Sequence, residues 1–276
     1  MQKVRYENGI YEISNTAYHG SHGISRSALM KFKKSPQHYF YEYESGLYQR
    51  PEPSPAFVLG DVVHTLVLEP HLYAERYVIS PKFDRRTNAG KEAHHSFVAK
   101  SLGRTVLSED IASQAVAMAA SVMQNEVAQD LLIDGRVEQS IFFTHEATGL
   151  QVKARPDSWS GIMIVDLKTS VDASARAFQS SAWSYGYFAQ AAFINEALKS
   201  IGQKMEKFVF LVVEKDPPFA TAIYMLEDAA LDFGIMQFNE LMFKFKRCQD
   251  SGEWQGYGIQ MLKLPGYAKF DGVNEE

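Results

Sequence analysis

Two strand-like segments joined by a tight turn constrain the fold of this chain more than any other feature. Residues 150–159 and 162–169 are rich in Val, Ile and aromatic side chains, a composition typical of β-strands. Ser160 and Gly161 stand between them and suit a two-residue hairpin turn. The sequence therefore predicts an antiparallel β-hairpin with a continuous strand on each side of this turn.

The predicted register places several charged side chains on one face of the hairpin. In this register Asp157 lies opposite Ile164, and directly opposed residues share a face. Residues two apart along a strand share a face as well. The charged residues that project from this side are Arg155, Asp157, Asp166 and Lys168. A slip of one residue would put the two aspartates on opposite faces.

Two carboxylates and an amine in this arrangement are groups that can hold a divalent cation beside a phosphodiester. Asp166 lies diagonal to Asp157, roughly 7–8 Å away at the backbone. One Mg²⁺, held about 2.0–2.1 Å from each oxygen, can bridge two side chains that reach inward from there. The alternative is a surface hairpin whose exposed face carries mixed charges.

Composition limits the class of protein. Cys248 is the one cysteine among 276 residues, so one chain can form neither an internal disulfide nor a cysteine-based zinc or iron–sulfur site. No apolar run approaches the roughly 20 residues that span a bilayer, and the polar N-terminus lacks a signal-peptide core. We therefore expect a cytoplasmic protein with no membrane partner.

Basic residues are concentrated in two segments although the net charge is −5, which argues against non-specific nucleic-acid binding. Residues 22–39 contain four Lys or Arg and no acid, and residues 82–104 contain six against two acids. A locally basic channel on an acidic body is one interpretation. Solvated basic faces of ordinary helices are the other.

Capping residues and apolar periodicity divide the chain into a helical part and a part that alternates strands with helices. The predicted helices begin at Ser25 and at Ser35-Pro36 and continue with 56–69, 88–101, 108–130, 173–200 and 229–249. The predicted strands are 137–145, 150–159, 162–169, 207–214 and 220–226. Without a linker or repeat, we expect one α/β domain over 1–276, with a mostly helical part at 1–134, a core at 135–250 and a tail at 251–276.

Four further residues are candidates for the same site. His64 lies in the apolar helix 56–69 and could bind a metal through a ring nitrogen, or be a core histidine bonded to a backbone carbonyl. Glu138 could present a carboxylate to the cleft or be an exposed strand acid. Tyr187 and Gln190, three apart on a helix, share a face, which buried polar packing would also explain.

A basic loop precedes the helix predicted at 88–101. Arg85 and Arg86 stand before its start and Lys91 follows, and both guanidinium groups and a helix N-terminus suit phosphate oxygens. Gly90 and Lys91 do not form a P-loop, because the upstream glycine and the following Ser or Thr are missing. The sequence likewise lacks a zinc-protease histidine pair, a serine-nucleophile elbow and a dinucleotide fingerprint.

Taken in order, these segments resemble the PD-(D/E)XK nuclease superfamily over nearly the whole chain. The resemblance is closest to its RecE-type (exonuclease VIII) branch of phages and prophages. It implies a restriction-endonuclease-like α/β core, with a central mixed sheet flanked by helices and a helical N-terminal arm. The segments that carry it are Ile24-Ser25-Arg26-Ser27-Ala28-Leu29, Ser35-Pro36-Gln37-His38-Tyr39, Gly60-Asp61-Val62-Val63-His64 with Glu69-Pro70, Asp84-Arg85-Arg86-Thr87 with Gly90-Lys91, Arg155-Pro156-Asp157, Asp166-Leu167-Lys168-Thr169-Ser170, Tyr187-Phe188-Ala189-Gln190-Ala191-Ala192-Phe193, Trp254-Gln255-Gly256-Tyr257 and Leu264-Pro265-Gly266-Tyr267-Ala268.

The resemblance implies a metal site and its ligands. Asp157 and Asp166 would bind Mg²⁺ or Mn²⁺, with His64 as a further ligand. The backbone carbonyl of Leu167 would complete the ligand set. Glu138 would lie near the metal and help to bind or activate water.

The resemblance also implies roles around the metal. Lys168 would orient the attacking water or offset charge that develops on the phosphate. Gln190 and Tyr187 would steady Lys168 or the DNA backbone. The residues that we expect to contact DNA are Arg26, Arg85, Arg86, Lys91, Arg155 and Tyr187.

The activity implied by the resemblance is digestion of linear double-stranded DNA from the 5′ strand, which leaves a 3′ overhang for recombination and repair. A RecT-like single-strand annealing protein would be a partner, and the chain would form a homo-oligomeric ring such as a tetramer. One alternative is a related PD-(D/E)XK endonuclease. The other is a nuclease fold kept only for DNA binding, against which Asp157, Asp166 and Lys168 argue.

Overall fold

The computed structural model describes residues 3–264, so the predicted tail motif beyond Leu264 lies outside the described residues. Its strands are β1 (Gly9–Tyr11), β2 (Tyr77–Ile79), β3 (Thr105–Leu107), β4 (Arg136–Val137), β5 (Ser140–His145), β6 (Leu150–Ala154), β7 (Ser158–Ser160), β8 (Met163–Ser170), β9 (Lys207–Glu214) and β10 (Thr221–Met225). Its helices are α1 (Asn15–Gly20), α2 (Arg26–Lys34), α3 (Pro36–Tyr43), α4 (Pro55–Leu68), α5 (Tyr73–Arg76), α6 (Asn88–Lys100), α7 (Glu109–Gln124), α8 (Glu126–Leu132), α9 (Ala175–Tyr185), α10 (Tyr187–Ser200) and α11 (Asp228–Ser251), with a 3₁₀ helix at Pro70–Leu72.

A five-stranded mixed sheet with the order β10-β9-β8-β7-β4 forms the centre of the fold. β8 and β9 run parallel, and the other neighbouring strands are antiparallel. Apolar side chains of one face pack with α4 and α7, and those of the other face pack with α9, α10 and α11. This architecture confirms the predicted α/β class with a central mixed sheet flanked by helices.

β8 is buried on both faces. Val165 and Leu167 pack with the apolar side chains of α4 and α7, whereas Ile164 packs on the opposite side. Asp166 shares the face of Ile164 and is 0% exposed. The hairpin is therefore a central element of the molecule, and the alternative of a surface hairpin with an exposed charged face is wrong.

The hairpin of β7 and β8 has the predicted faces but a different register. Trp159 pairs with Ile164 instead of Ile162, so the two turn residues are Gly161 and Ile162. Gly161 has a φ of 61°, which glycine adopts without steric cost. The pairing has moved by two residues, an even number, so each side chain keeps its face. If the pairing is extended by one residue pair beyond Ser158 and Val165, Asp157 lies directly opposite Asp166.

Two of the predicted strands are each divided between two sheets. The segment 150–159 leaves the three-stranded sheet β1-β5-β6 after Ala154 and enters the five-stranded sheet at β7. Pro156 lies in this connection, where it has no backbone N–H to donate to a strand. The segment 137–145 is divided into β4 and β5, and Glu138, predicted within the strand, stands between them with a φ of 54°.

Two of the predicted helices are also divided. The segment 108–130 becomes α7 and α8, because Asn125 starts a new helix by accepting a hydrogen bond from the backbone N–H of Ala128 at 3.1 Å. The segment 173–200 becomes α9 and α10, separated by Gly186 with a φ of 68°. The second division has consequences for the site, since it joins the end of α9 to the start of α10.

Several short elements in the N-terminal part were not predicted from the sequence. They are β1, α1 and the parallel pair β2-β3, and elements of three to six residues are too short to show a hydrophobic period. Within residues 3–264 no helix combines the length and the apolar composition that crossing a membrane requires.

Candidate active site

A cleft of about 370 Å³ lies between α4, β8 and the start of α10. The side chain of Leu167 is buried in the core, so that residue faces the cleft with its main chain. Segments far apart in the sequence thus meet in one place. The predicted site residues that line this cleft are His64, Glu138, Arg155, Leu167, Lys168 and Tyr187.

Three side chains at the cleft form a cluster that could hold a metal ion. His64, Glu138 and Asp157 each offer one ligand atom, and these atoms lie within 4.8 Å of one another. Nδ1 of His64 is 3.5 Å from Oδ2 of Asp157. That separation is compatible with a shared ion about 2.1 Å from each ligand. Two carboxylates and one imidazole suit Mg²⁺ or Mn²⁺, and a single histidine does not require zinc.

Asp157 connects three segments of the site. Its Oδ2 accepts a hydrogen bond from the backbone N–H of Leu167 at 2.8 Å, which ties it to β8. Its backbone carbonyl accepts from the N–H of Glu138 at 3.1 Å. The hydrogen bond from Leu167 therefore holds the Asp157 carboxylate in place, and the same Oδ2 is the oxygen that lies 3.5 Å from Nδ1 of His64.

Glu138 is held in an uncommon environment. Its φ of 54° is a left-handed conformation that few residues other than glycine adopt. Burial, followed by the charge of Asp157, raises the pKa of Glu138 to about 8, while Arg155 opposes the rise. Nη1 of Arg155 lies 3.6 Å from its Oε2. A cation at the cluster would favour the charged carboxylate.

Asp166, predicted as a metal ligand, is engaged by protein groups. Its Oδ1 accepts a hydrogen bond from Nε2 of Gln190 at 2.5 Å, and its Oδ2 forms an ion pair with Nζ of Lys168. Among the described residues, Oδ2 has no partner of ordinary hydrogen-bond geometry. Burial raises the pKa of Asp166, against the effect of Lys168. The structure thus places Asp166 beside Lys168 and outside the cluster of His64, Glu138 and Asp157, so its predicted role as a metal ligand stays a prediction.

Lys168 points its ammonium into the same cleft. Nζ lies 4.9 Å from the centre of the Tyr187 ring, a cation–π contact. Burial lowers the pKa of Lys168, but the carboxylates of Asp166 and Asp157 outweigh it and raise the pKa overall. Lys168 therefore keeps its charge at neutral pH. Gln190, predicted to steady Lys168 or the DNA backbone, donates to Asp166, which in turn pairs with Lys168.

Arg155, predicted to contact DNA, lines the cleft, but most of its side chain is covered by protein. Its side chain is 8% exposed. Its guanidinium donates to Oγ of Ser140 at 2.6 and 2.9 Å and to the carbonyl of Ile13 at 2.7 Å. These contacts fix Arg155 beside Glu138, so the structure supports a positioning role for it.

The remaining basic residues lie in two different settings. Arg26 is partly buried, with its guanidinium 5.9 Å from the centre of the Tyr187 ring. Arg85, Arg86 and Lys91 are exposed at the start of α6. Arg86 forms a 3.0 Å ion pair within its own loop, to Asp84. Of the predicted DNA-binding residues, Arg155 and Tyr187 line the cleft. Arg26 contacts the Tyr187 ring, and Arg85, Arg86 and Lys91 are exposed on the loop and helix start away from the cleft lining.

Sequence reasoning missed three charged residues of the cleft wall: Asp61, Glu69 and Arg76. Nη1 of Arg76 donates to Glu69 at 2.6 Å, and the hydroxyl of Tyr77 donates to Asp61 at 2.5 Å. Asp61 precedes His64 by three residues and so shares its helix face, a signal that was present in the sequence. Arg76 lies beyond the end of α4, where no local pattern points to the site.

The fold is a mixed sheet between two helical layers. Its central strand β8 carries the triplet Asp166-Leu167-Lys168, and Asp157 lies across the hairpin. These features define the PD-(D/E)XK class of fold. The chain belongs to the family described as PDDEXK-like domain of unknown function (DUF3799), which matches residues 25–264. This confirms the PD-(D/E)XK superfamily that the sequence motifs indicated.

A solved structure shows the same fold. A protein from Eubacterium rectale described as a "putative exonuclease" is similar with a TM-score of 0.61 and 16% identity, over 91% of this chain and 97% of that chain. SSO0001 matches with a TM-score of 0.29 and 13% identity, over 67% of this chain and 85% of that chain. This similarity is too low to indicate a shared fold. No protein of curated function matches this sequence.

Proposed function

We propose that this protein is a metal-dependent exodeoxyribonuclease that digests linear double-stranded DNA. The observation that carries the proposal is the placement of the His64, Glu138 and Asp157 cluster beside the Asp166–Lys168 ion pair in one cleft. A binding module has no need of a charged lysine held by a buried aspartate beside potential metal ligands. The fold class of the chain supports the same chemistry.

The residues of the cleft would divide the work of phosphodiester hydrolysis. His64, Glu138 and Asp157, with Asp166 as a further proposed ligand, would hold Mg²⁺ or Mn²⁺. The ion would supply Lewis-acid polarisation of the phosphoryl oxygen and a lower pKa of water. Lys168 would place fixed positive charge where negative charge develops. Asp166 would orient Lys168 through the ion pair, and Gln190 would in turn orient Asp166.

We also propose the finer properties that the resemblance to the RecE-type branch implies. Digestion would proceed 5′→3′ and leave a 3′ overhang for recombination. A RecT-like annealing protein would bind that overhang, the chain would assemble into a homo-oligomeric ring, and both would act in the cytoplasm. The description of the Eubacterium rectale protein as an exonuclease is in keeping with degradation from ends.

The test is release of nucleotides from an end-labelled linear duplex, with Mg²⁺, with Mn²⁺ and with a chelator. We expect digestion with either metal, none with the chelator, and loss of the 5′ label before the 3′ label. A covalently closed circle of the same sequence is the control substrate. Rapid cutting of the circle would favour the endonuclease alternative, and loss of the 3′ label first would reverse the proposed polarity.

Replacement of the ion pair tests the chemistry itself. Lys168→Ala and Asp166→Ala should each lower the rate of digestion by roughly 10²–10³, the usual effect of removing a charge-stabilising group. Lys199→Ala, at an exposed position of α10, is the matched control and should digest at the wild-type rate. Wild-type rates in the Lys168 and Asp166 variants would place the chemistry elsewhere.

A further inference from the structure

A solvent-exposed tyrosine extends the wall of the cleft. Tyr187 lines the cleft, and the ring of Tyr185 stacks on it with centres 5.9 Å apart and planes at 27°. Tyr185 is nevertheless 64% exposed, so most of its ring faces solvent. Large exposed aromatic side chains beside a binding cleft mark interaction surfaces.

The position of this ring is fixed by its surroundings. Gly186, between the two tyrosines, has a φ of 68°, and a Cβ at this position would stand 2.8 Å from Sδ of Met30. A side chain there would be strained and crowded, so the bend that brings the two rings together depends on glycine. Nη2 of Arg26 donates to the backbone carbonyl of Tyr185. These contacts hold the main chain and leave the Tyr185 ring uncovered.

Positive charge accompanies the pair of rings. The guanidinium of Arg26 and the ammonium of Lys168 lie 5.9 and 4.9 Å from the centre of the Tyr187 ring. Proteins that bind single-stranded nucleic acid combine these two features, cations along the backbone path and aromatic rings on which bases stack. Here both converge at one end of the cleft.

We propose that Tyr185 is a stacking platform for an unpaired base of the DNA strand whose phosphodiester occupies the cleft. The inference rests on the proposed nuclease function and adds the state of its substrate. The nucleotide next to the reacting phosphate is unpaired, with its base against the exposed face of Tyr185. Its phosphate is directed to Lys168 and the metal-binding cluster.

Binding without cleavage provides the test. The probe is a fluorescently labelled single strand of eight thymidines in buffer with a chelator, followed by anisotropy. Tyr185→Leu should weaken binding roughly 10-fold, the effect of losing one base–aromatic stack. Tyr185→Phe should bind like wild type, because stacking needs the ring and not the hydroxyl.

Trp183 supplies a matched control on the same helix. It is also 64% exposed, but residues two apart on a helix do not share a face, and its ring packs on Phe233 with centres 5.6 Å apart. Trp183→Leu should leave binding of the oligonucleotide unchanged. Equal losses in the Trp183 and Tyr185 variants would overturn the platform, as would wild-type binding by Tyr185→Leu.

These experiments distinguish failure of the Tyr185 stacking platform from failure of the proposed nuclease function. Suppose that the protein digests linear duplex but that its Tyr185→Leu variant binds the single strand like wild type. This result would refute the stacking platform and leave the nuclease function standing. Tyr185-dependent binding by a protein that digests no DNA would support the platform and refute the nuclease. On duplex, Tyr185→Leu should raise KM about as much as it weakens binding, with the maximal rate nearly unchanged.

Discussion

At the scale of single residues, Glu138 bears two costs that ordinary folding would avoid. Its left-handed backbone costs about 1–3 kcal/mol for a residue other than glycine, and its carboxyl is covered by protein that disfavours the charged form. The hydrogen bond from its N–H to Asp157 and the nearby Arg155 maintain the arrangement. Strain that persists in this way is typical of residues with a function.

The raised pKa of Glu138 predicts how the stability of the metal-free protein depends on pH. Between its ordinary value of 4.5 and about 8, the folded state keeps a proton that the unfolded chain releases. The free energy of unfolding should therefore fall as pH rises through this window, by at most about 1.4 kcal/mol per unit. Urea unfolding with a chelator, from pH 6.5 to 8, measures this slope.

Glu138→Gln is the comparison for that measurement. The amide keeps the shape of a neutral carboxyl and cannot titrate, so the variant should show a flatter profile than wild type. Titration of groups far from residue 138 contributes equally to both proteins and cancels in the difference. Identical slopes would mean that Glu138 is already charged in the folded protein.

At the scale of elements, the bends between segments determine the site as much as the segments do. The chain changes sheets near Pro156 between β6 and β7, which brings Asp157 across from β8. Gly186 separates α9 from α10, which sets Tyr187 and Gln190 on a helix of their own beside Asp166 and Lys168. Without the bend near Pro156 or the break at Gly186, the strand and the helix would continue in a straight line, and these residues would lie elsewhere.

α10, the helix that carries Gln190, packs closely against α11 at Gly234. A Cβ at Gly234 of α11 would stand 2.2 Å from the backbone carbonyl of Phe188 in α10. We therefore expect Gly234→Ala to lower the free energy of unfolding by about 1–3 kcal/mol, as overpacking does, measured by urea denaturation.

Gly20→Ala is the control for the helix interface. Gly20 ends α1, and a Cβ there meets no atom of the described structure within 4 Å. This variant should change the free energy of unfolding by less than about 0.5 kcal/mol, as surface substitutions do. A Gly234 variant as stable as the Gly20 variant would show that α10 and α11 can separate without cost.

At the scale of the whole molecule, the proposed binding of DNA would have to overcome a net charge of −5. The cations in the cleft are engaged by protein groups, whereas the exposed loop at the start of α6 offers a surface where counterion release could occur. Arg85 in this loop contacts His94 at 2.7 Å and leaves its remaining donors to solvent. The loop would add affinity that does not depend on sequence.

Salt dependence tests the contribution of this loop. Arg85→Ala and Arg86→Ala should each weaken duplex binding and reduce the slope of log K against log salt by about 1, as loss of one phosphate contact does. Arg247→Ala, exposed on α11, is the control and should keep the wild-type slope. Unchanged slopes in the loop variants would remove the loop from the DNA-binding surface.

Prediction from sequence succeeded where the cause is local. Ser25 and Ser35 accept hydrogen bonds from the first turns of α2 and α3, as their positions before apolar segments indicated. It failed at the sheet change near Pro156 and at the helix break at Gly186, because a proline or glycine shows where a bend is allowed and not where the chain goes next. The register of the hairpin failed for a similar reason, since packing on both faces of β8 selects it.

The sequence by itself determined the capped starts of α2 and α3 and which side chains of β8 share a face, since caps and alternation depend on neighbours a few residues away. Only the tertiary structure decided which carboxylates converge. It placed His64 beside Asp157 and Glu138 and set Gln190 on Asp166, because these contacts depend on how α4 and α10 pack against opposite faces of one strand. Packing over such long separations follows from the fit of whole surfaces, which no short pattern contains.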